Sequence, residues 1–95
     1  MRSPAIYIMA SGRNGTLYTG VTSNLPQRVY QHREGLTAGF TATHGCKTLV
    51  YYEVYEDMLS AIAREKQIKG ASRRKKLLMI ERHNPDWRDL YPDFS

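Results

Sequence analysis

Five side chains in this 95-residue sequence are of the types that cleave a phosphodiester bond. Two are phenols and the others are a guanidinium, an imidazole and a carboxylate: Tyr7, Tyr18, Arg28, His32 and Glu65. Together such groups can activate water against a phosphate, neutralise the negative charge that develops, and hold a divalent metal. We therefore interpret them as a phosphodiester-cleaving site, which the surrounding elements must bring together.

The two phenols lie on short runs that predict a β-hairpin. The runs, Ala5–Ala10 and 16–22, are rich in β-branched and aromatic residues, and the loop 11–15 between them contains an Asn-Gly pair. Side chains alternate between the two faces of a strand. Tyr7 and Tyr18 therefore share a face if the loop holds an even number of residues, two or four.

A helix is predicted from Asn24 to Gly35. Asn24 suits the N-cap, Gln27 can complete a capping-box-like pair with it, and Gly35 suits the C-terminal stop. Arg28 and His32 are one turn apart at the edge of the apolar stripe of this helix. We therefore expect both side chains to project toward the sheet.

The second half of the chain predicts a strand and two helices. The strand, 49–55, is apolar enough to sit centrally or to be covered on both faces. Asp57 caps a helix that runs to about Gly70, and Ser72 caps another that runs to about Arg82.

Two stretches lack a helix or strand pattern. The Gly- and Thr-rich segment 36–47 predicts a loop that could move on substrate binding. The tail 86–95 contains Trp87, Leu90 and Phe94, and we expect it to pack back onto the domain.

Glu65 is the residue that core packing explains least. On a helix, Ala61, Glu65 and Ile68 share a face, which places a carboxylate in the middle of an apolar stripe. Burying a carboxylate is costly unless it is paired, coordinated or protonated. A divalent metal, Arg28 or Arg64 could each compensate, and a salt bridge at the rim of the core is an equally good explanation from helix position alone.

The net charge of +5 is concentrated in one segment. Residues 64–82 contain eight basic and two acidic side chains, whereas the rest of the chain contains six basic and seven acidic ones. The basic residues of this segment are Arg64, Lys66, Lys69, Arg73, Arg74, Lys75, Lys76 and Arg82. Such clustering is typical of a surface that contacts a phosphate backbone. A solvated helical face is the simpler explanation of a basic run by itself.

Length and composition indicate one domain that spans residues 1–95. No apolar run approaches the roughly 20 residues of a membrane span, so we expect no membrane contact. Residues 1–4 lead directly into the first strand, so no signal peptide is expected. Because Cys46 is the only cysteine, no internal disulfide can form, and a reducing cytoplasm is the simplest compartment.

The chain resembles the GIY-YIG nuclease superfamily, and most of all its small single-domain bacterial members related to the nuclease domain of the excision-repair incision subunit. The resemblance covers the chain from Ala5 to about Leu90, including segments 49–53 and 64–70. It rests on the order of Tyr7, Tyr18, Gly20, Arg28, His32, Glu65 and Asn84. The first triplet reads Ala-Ile-Tyr and the second Tyr-Thr-Gly, so both tyrosines and the final glycine of the family name remain.

The resemblance implies an α+β fold, with a three-stranded antiparallel sheet flanked by helices in the order ββαβαα. It implies that Glu65 binds one Mg²⁺ or Mn²⁺ ion that keeps several waters. Tyr7 would be the general base, which requires a phenol pKa far below its usual value of about 10, as is plausible only beside a cation. Tyr18 would position the water or the phosphate, Arg28 would stabilise the phosphorane, and His32 would support Tyr7 or relay its proton.

The same resemblance implies a metal-dependent DNA endonuclease that acts on branched, damaged or single-stranded DNA in repair or recombination. Gly20 and Asn84 would help to shape the site. The DNA backbone would be held by Lys66, Lys69, Arg73, Arg74, Lys75 and Lys76. We expect a monomer or a weak dimer, and a protein partner could supply substrate selection.

Two other functions are compatible with the sequence. One is a nucleic-acid-binding or adaptor module that keeps the fold and cleaves weakly or not at all. The other, weaker one is a protein-interaction domain that uses the strand residues 51–55 and the aromatic tail.

Overall fold

Three strands, three α-helices and a 3₁₀ helix are the main elements of residues 3–36, 39 and 43–94, which the computed structural model describes. In chain order they are β1 (Ala5–Ala10), β2 (Leu17–Thr22), α1 (Leu25–Arg33), β3 (Thr48–Val54), α2 (Met58–Gly70), α3 (Arg73–His83) and the 3₁₀ helix (Tyr91–Phe94). The strands form one antiparallel sheet in the order β2-β1-β3. The predicted α+β class and ββαβαα order are confirmed.

The strand at the centre of the sheet is β1, and β3 lies at an edge. All six residues of β1 are buried, because both of its faces carry apolar side chains. The prediction that the third strand sits centrally is therefore wrong. Its alternative is confirmed, since Tyr51 of β3 packs into the core on one face of the sheet and Leu49 into the core on the other.

The β1–β2 hairpin places the two phenols on one face. Six residues separate the paired Ala10 and Leu17, an even number but larger than the predicted two or four. Met9 therefore pairs with Tyr18, two positions along from Tyr7, so both tyrosines share a face. The turn contains the Asn-Gly pair, and Asn14 adopts a left-handed φ of 56°.

The ends of α1 are fixed by local hydrogen bonds. The side chain of Asn24 accepts from the Gln27 N–H, as predicted, but the Asn24 N–H is bound by Thr22 instead of by Gln27. At the other end Gly35 has φ +68°, and its N–H and that of Leu36 donate to carbonyls of the last turn. The predicted caps of the later helices are also confirmed, Asp57 for α2 and Ser72 for α3.

The sheet separates two cores. One contains apolar side chains of the sheet, α2, α3 and the tail, and its members are Ile6, Ile8, Ala10, Val50, Tyr51, Ala61, Ile68, Ile80 and Trp87. The other lies between the sheet and α1, and its members are Ala5, Tyr7, Met9, Leu25, Val29, Cys46 and Leu49. The predicted reactive residues of β1 and α1 therefore belong to the second core.

The tail packs back onto the domain, as predicted. Its Leu90 N–H donates to the Leu49 carbonyl (2.8 Å), and its Asp89 accepts from the Leu49 N–H (3.2 Å) and forms an ion pair with Arg33. Phe94 packs against the ring of Tyr52, with 5.3 Å between centroids. The tail and β3 thus bind each other through hydrogen bonds and a ring contact within the domain.

The loop predicted over 36–47 differs from expectation where the structure describes it. Thr43 and His44 have helical backbone, and the Thr43 N–H donates to the Gly39 carbonyl (3.0 Å). Residues 37, 38 and 40–42 lie outside the described part of the chain, and motion on substrate binding stays a prediction. Within the described residues, every helix is too short or too polar to cross a bilayer.

Candidate active site

Three rings converge where β1, β2 and α1 meet. The centroid of the His32 ring lies 5.5 Å from those of both Tyr7 and Tyr18, and the two phenol rings are 6.3 Å apart. His32 and Tyr7 are buried, whereas Tyr18 is half-buried. The helix predicted to project His32 toward the sheet does so, and we call these three side chains the ring cluster.

Gly20 makes room for the phenol of Tyr7. It lies directly opposite Tyr7 in the β1–β2 pairing. A Cβ atom added to Gly20 would lie 2.5 Å from both Cζ and Oη of Tyr7, closer than van der Waals contact allows. The absence of a side chain at Gly20 therefore lets the phenol extend across the edge strand β2.

The hydroxyl of Tyr7 is hydrogen bonded to Nε2 of His32 at 2.8 Å. Burial raises the pKa of Tyr7, with further contributions from Tyr18 and Glu65, and Arg28 opposes the rise. The protein by itself does not supply the low phenol pKa that a general base requires, because desolvation disfavours the phenolate more than Arg28 favours it. A fall in that pKa beside a bound metal ion stays a prediction.

The surroundings of His32 favour its neutral form, which can accept a proton. Burial and the positive charge of Arg28 both lower its pKa, so the imidazole is neutral at pH 7. The phenol is then protonated and the imidazole neutral, and in the tautomer whose Nε2 carries no hydrogen the Tyr7 hydroxyl donates to that nitrogen. In that tautomer the geometry suits the predicted relay of the Tyr7 proton to His32, which stays a prediction.

Arg28 lies half-buried one turn before His32 on α1. Its charge lowers the pKa values of both Tyr7 and His32, which places the guanidinium close to both groups. Among the residues that the structure describes, its side chain makes no hydrogen bond or ion pair. It is thus available to a phosphate next to the ring cluster.

Glu65 lies on α2, whose buried residues Ala61 and Ile68 pack on the other face of the sheet. Its charge nevertheless raises the pKa of Tyr7, which reaches over Gly20 toward the edge of the sheet. The charge of Glu65 therefore acts on Tyr7, and a role of Glu65 in the site stays a prediction.

The partner of Glu65 is one that the sequence analysis missed. Only 13% of the Glu65 side chain is exposed, and its carboxylate lies 3.1 Å from Nζ of Lys69. The spacing of four residues could have indicated this pair. Arg64, considered as a partner, instead donates two hydrogen bonds to Glu53 of β3 (3.0 and 3.2 Å).

Comparison with known proteins identifies the family. The profile of the GIY-YIG catalytic domain matches residues 3–78. The chain belongs to the GIY-YIG family. This family is a nuclease superfamily, and its two tyrosine triplets are the β1 and β2 segments that meet in the ring cluster.

Relatives from the GIY-YIG family match most of the chain. UPF0213 protein SH2523 of Staphylococcus haemolyticus is 40% identical over 76 residues, which are 80% of this chain and 92% of that protein. UPF0213 protein CPE1444 of Clostridium perfringens is 39% identical over 79% of this chain and 80% of its own length. The solution NMR structure of UPF0213 protein BH0048 from Bacillus halodurans has a TM-score of 0.57, 26% identity, and 92% coverage of both chains.

The carboxylate of Glu65 suits the divalent ion that GIY-YIG membership implies. A Mg²⁺ ion is commonly held by one or two carboxylates and keeps several of its waters. Within the described part of the chain, no group of three or more His, Cys, Asp or Glu side chains forms a closed metal cage. A single, mostly buried carboxylate with one ammonium partner at 3.1 Å fits this open kind of site.

Some cations of the basic segment 64–82 already bind groups within the protein, and others do not. Arg73 donates to the carbonyl oxygens of Asn14 (2.8 Å) and Gly15 (2.7 Å), so it braces the hairpin loop. Lys69 pairs with Glu65. The remaining predicted DNA contacts make no side-chain hydrogen bond or ion pair with any described residue: Lys66, Arg74, Lys75 and Lys76.

Asn84 lies apart from the ring cluster. It ends α3, and its side-chain amide donates to the carbonyls of Val50 (3.2 Å) and Arg88 (2.8 Å) and accepts from the Arg88 N–H (3.1 Å). These bonds tie α3 to β3 and to the tail. Its observed contacts are thus those of a scaffold residue, and a direct role in shaping the site stays a prediction.

Proposed function

We propose that this protein is a metal-dependent endonuclease that hydrolyses phosphodiester bonds in branched, damaged or single-stranded DNA. The proposal rests chiefly on one observation, the 2.8 Å hydrogen bond between the Tyr7 hydroxyl and Nε2 of His32. Membership of the GIY-YIG family supports a nuclease, and the geometry suggests how the residues of this chain share the work.

The proton path begins at the attacking water. The hydroxyl of Tyr7 accepts a proton from water as it passes its own proton to Nε2 of His32, so the phenol never has to carry a full negative charge. A raised phenol pKa is compatible with this relay, because the neutral imidazole is the eventual base. Tyr18, at the rim of the ring cluster, orients the water or the phosphate.

Charge on the phosphate is balanced from two sides. The guanidinium of Arg28 stabilises the additional negative charge of the phosphorane. Glu65 would hold one Mg²⁺ or Mn²⁺ ion, and such an ion supplies charge neutralisation and lowers the pKa of its bound water. Lys69 would give up its contact with Glu65 when the ion binds, because both cations use the same carboxylate.

The DNA backbone would be bound by the cations of segment 64–82 that form no side-chain hydrogen bond or ion pair with a described residue. Lys66 lies on α2 one residue after Glu65, and Arg74, Lys75 and Lys76 lie on the first turns of α3. Phosphate contacts of this kind position a duplex or a single strand without reading its sequence. Substrate selection then falls to the shape of the DNA or to a protein partner.

The test is cleavage of flapped, branched and single-stranded DNA in Mg²⁺ or Mn²⁺. Glu65→Gln, Arg28→Ala and Tyr7→Phe should each slow cleavage by about a hundredfold or more. Tyr30→Phe and Glu34→Gln make the same chemical changes at exposed positions of α1 or its end and should leave the rate unchanged. Cleavage that is unaffected by all three site variants rejects the proposal.

One observation favours the adaptor function as the second candidate. In the protein by itself the phenol of Tyr7 is held protonated, and the carboxylate of Glu65 already has a cation. A binding module would show salt-sensitive DNA binding without cleavage of any substrate, and Glu65→Gln would leave that binding unchanged.

A further inference from the structure

The first turn of α2 presents apolar side chains to solvent beside two acids. Leu59 is 81% exposed and Met58 is 36% exposed. Glu56 and Asp57 come just before them and are also exposed. We call residues 56–59 the acidic tip. A single exposed leucine needs no explanation, but neighbouring exposed apolar residues next to charges of one sign are typical of contact surfaces.

A groove between α2 and α3 combines apolar surface with the opposite charge. Its volume is about 300 Å³, and six of its side chains form an apolar floor and a cationic rim: Ile68, Leu78, Met79, Arg64, Lys75 and Arg82. Leu78 is 54% exposed. Lys75 and Arg82 form no ion pair with any residue in the described ranges. We call this site the basic groove.

The residues that line the basic groove indicate which kind of molecule it can bind. No aromatic ring from the described part of the chain lines it, so an unpaired base would find no ring on which to stack. A phosphate backbone needs the rim but gains nothing from an apolar floor. An apolar side chain flanked by acids can pack on the apolar floor and pair with the cationic rim.

The acidic tip of this same chain has that chemistry. Leu59 is an unpacked apolar side chain, and the carboxylate of Glu56 has no partner among the described residues. Asp57 is committed, because its side chain caps α2 through the Ser60 N–H (2.7 Å). Glu56 is therefore the acid that can meet a cation of the groove.

We propose that the acidic tip of one copy of this protein docks in the basic groove of a second copy. Leu59 of one copy covers Leu78 of the other, and Glu56 faces Arg82. The contact joins two different patches, so it is heterologous. Patches this small form weak, reversible contacts. The inference goes beyond the nuclease proposal and does not depend on it, although Lys75 of the groove rim is also one of the cations that the nuclease proposal assigns to DNA.

Sedimentation velocity over about a hundredfold range of protein concentration tests the contact, because weak association depends on concentration. The wild type should shift toward a larger species as concentration rises. Glu56→Lys and Arg82→Glu should each remain monomeric, because tip and groove then carry the same sign. An equimolar mixture of the two variants should associate again, since the native tip of one meets the native groove of the other.

Matched controls separate a specific contact from a change in net charge. Arg74→Glu makes the same change as Arg82→Glu on the exposed surface of α3 outside the groove, and Asp86→Lys is a similar change to Glu56→Lys. Both should associate as the wild type does. Leu59→Ser should weaken association, whereas Leu36→Ser, at another exposed leucine, should not. Circular dichroism checks that each variant is folded.

Several outcomes overturn the proposal. A wild type that stays monomeric over the whole range contradicts it, and so does a mixture of the two variants that fails to associate. If Arg82→Glu weakens DNA binding while the mass distribution stays that of the wild type, DNA is the occupant of the groove instead.

Discussion

The hydroxyl of Tyr7 is hydrogen bonded to Nε2 of His32 at 2.8 Å, across 25 positions of the chain. Burial acts on the two groups in opposite directions, raising the pKa of the phenol and lowering that of the imidazole. Both shifts favour a neutral phenol beside a neutral imidazole. This pair connects the central strand to α1.

Stability should fall as the pH drops because His32 is buried in its neutral form. Its pKa in the folded protein is below the value of about 6.5 that it has when unfolded. Below about pH 6.5 the unfolded chain binds a proton that the folded protein refuses, so the free energy of unfolding decreases. Urea unfolding of wild type and His32→Gln between about pH 8 and pH 5 measures this contribution.

The wild type should lose more stability than His32→Gln over that pH range. Cleavage should also decline on the acid side, because a protonated imidazole cannot accept from Tyr7. An equal loss of stability in the two proteins would show that His32 does not titrate as the structure indicates.

A methyl group at Gly20 should disable the site. In Gly20→Ala the new Cβ would lie 2.5 Å from Oη of Tyr7, so the phenol must move away from His32. We expect a loss of stability of about 1 to 3 kcal/mol and a drop in cleavage of about a hundredfold. Gly70→Ala is the control, since a Cβ there meets nothing within 4 Å. If Gly20→Ala cleaves normally, the close approach is not needed for catalysis.

Lys69 should compete with the metal ion for Glu65. Its ammonium group lies 3.1 Å from the carboxylate, so Lys69→Gln should tighten Mn²⁺ binding. Because half of the Lys69 side chain is exposed to solvent, we take the ion pair to be worth about 1 kcal/mol or less, which corresponds to a gain of about two- to fivefold. Electron paramagnetic resonance titration of free Mn²⁺ measures the affinity without using activity.

Lys66→Gln provides the matched comparison, because it removes the same charge from an exposed residue of α2 without breaking an ion pair. Glu65→Gln should abolish the binding. Equal tightening by Lys69→Gln and Lys66→Gln would point to net charge alone.

Removal of the Asn84 side chain should destabilise the protein without changing the chemistry. Its three hydrogen bonds hold β3 and the tail, and Asn84→Ala would leave buried carbonyls unsatisfied. We expect a loss of about 2 to 3 kcal/mol in urea unfolding. Cleavage below the melting temperature should match the wild type. A folded Asn84→Ala that no longer cleaves would instead support the predicted site-shaping role.

Cations of the basic segment should differ in their effect on DNA binding. The slope of log affinity against log salt is negative. Lys66→Ala and Arg74→Ala should each reduce its magnitude by about 0.9, as expected when one phosphate contact is lost. Arg73→Ala should lower the free energy of unfolding and leave the salt slope nearly unchanged. The reason is that its guanidinium already binds the carbonyls of Asn14 and Gly15. Fluorescence anisotropy at several salt concentrations provides the slopes, and equal slopes in all three variants would contradict this division.

Short-range interactions allowed much of the fold to be predicted from the sequence. The cap of α1 at Asn24 and its end at Gly35 involve partners a few residues away, so residue type alone indicates them. The alternation of side chains along β1 and β2 likewise placed Tyr7 and Tyr18 on one face. The types and order of the reactive residues indicated the family.

Contacts between distant segments decided the rest. The central position of β1, the pairing of Arg64 with Glu53 and the bracing of the hairpin by Arg73 all join residues that no local pattern connects. Burial raises the pKa of Tyr7 in the protein by itself, and no local pattern indicates this, because desolvation depends on how the whole chain packs around the phenol. Local chemistry thus named the reactive groups, and tertiary packing determined which of them holds the proton.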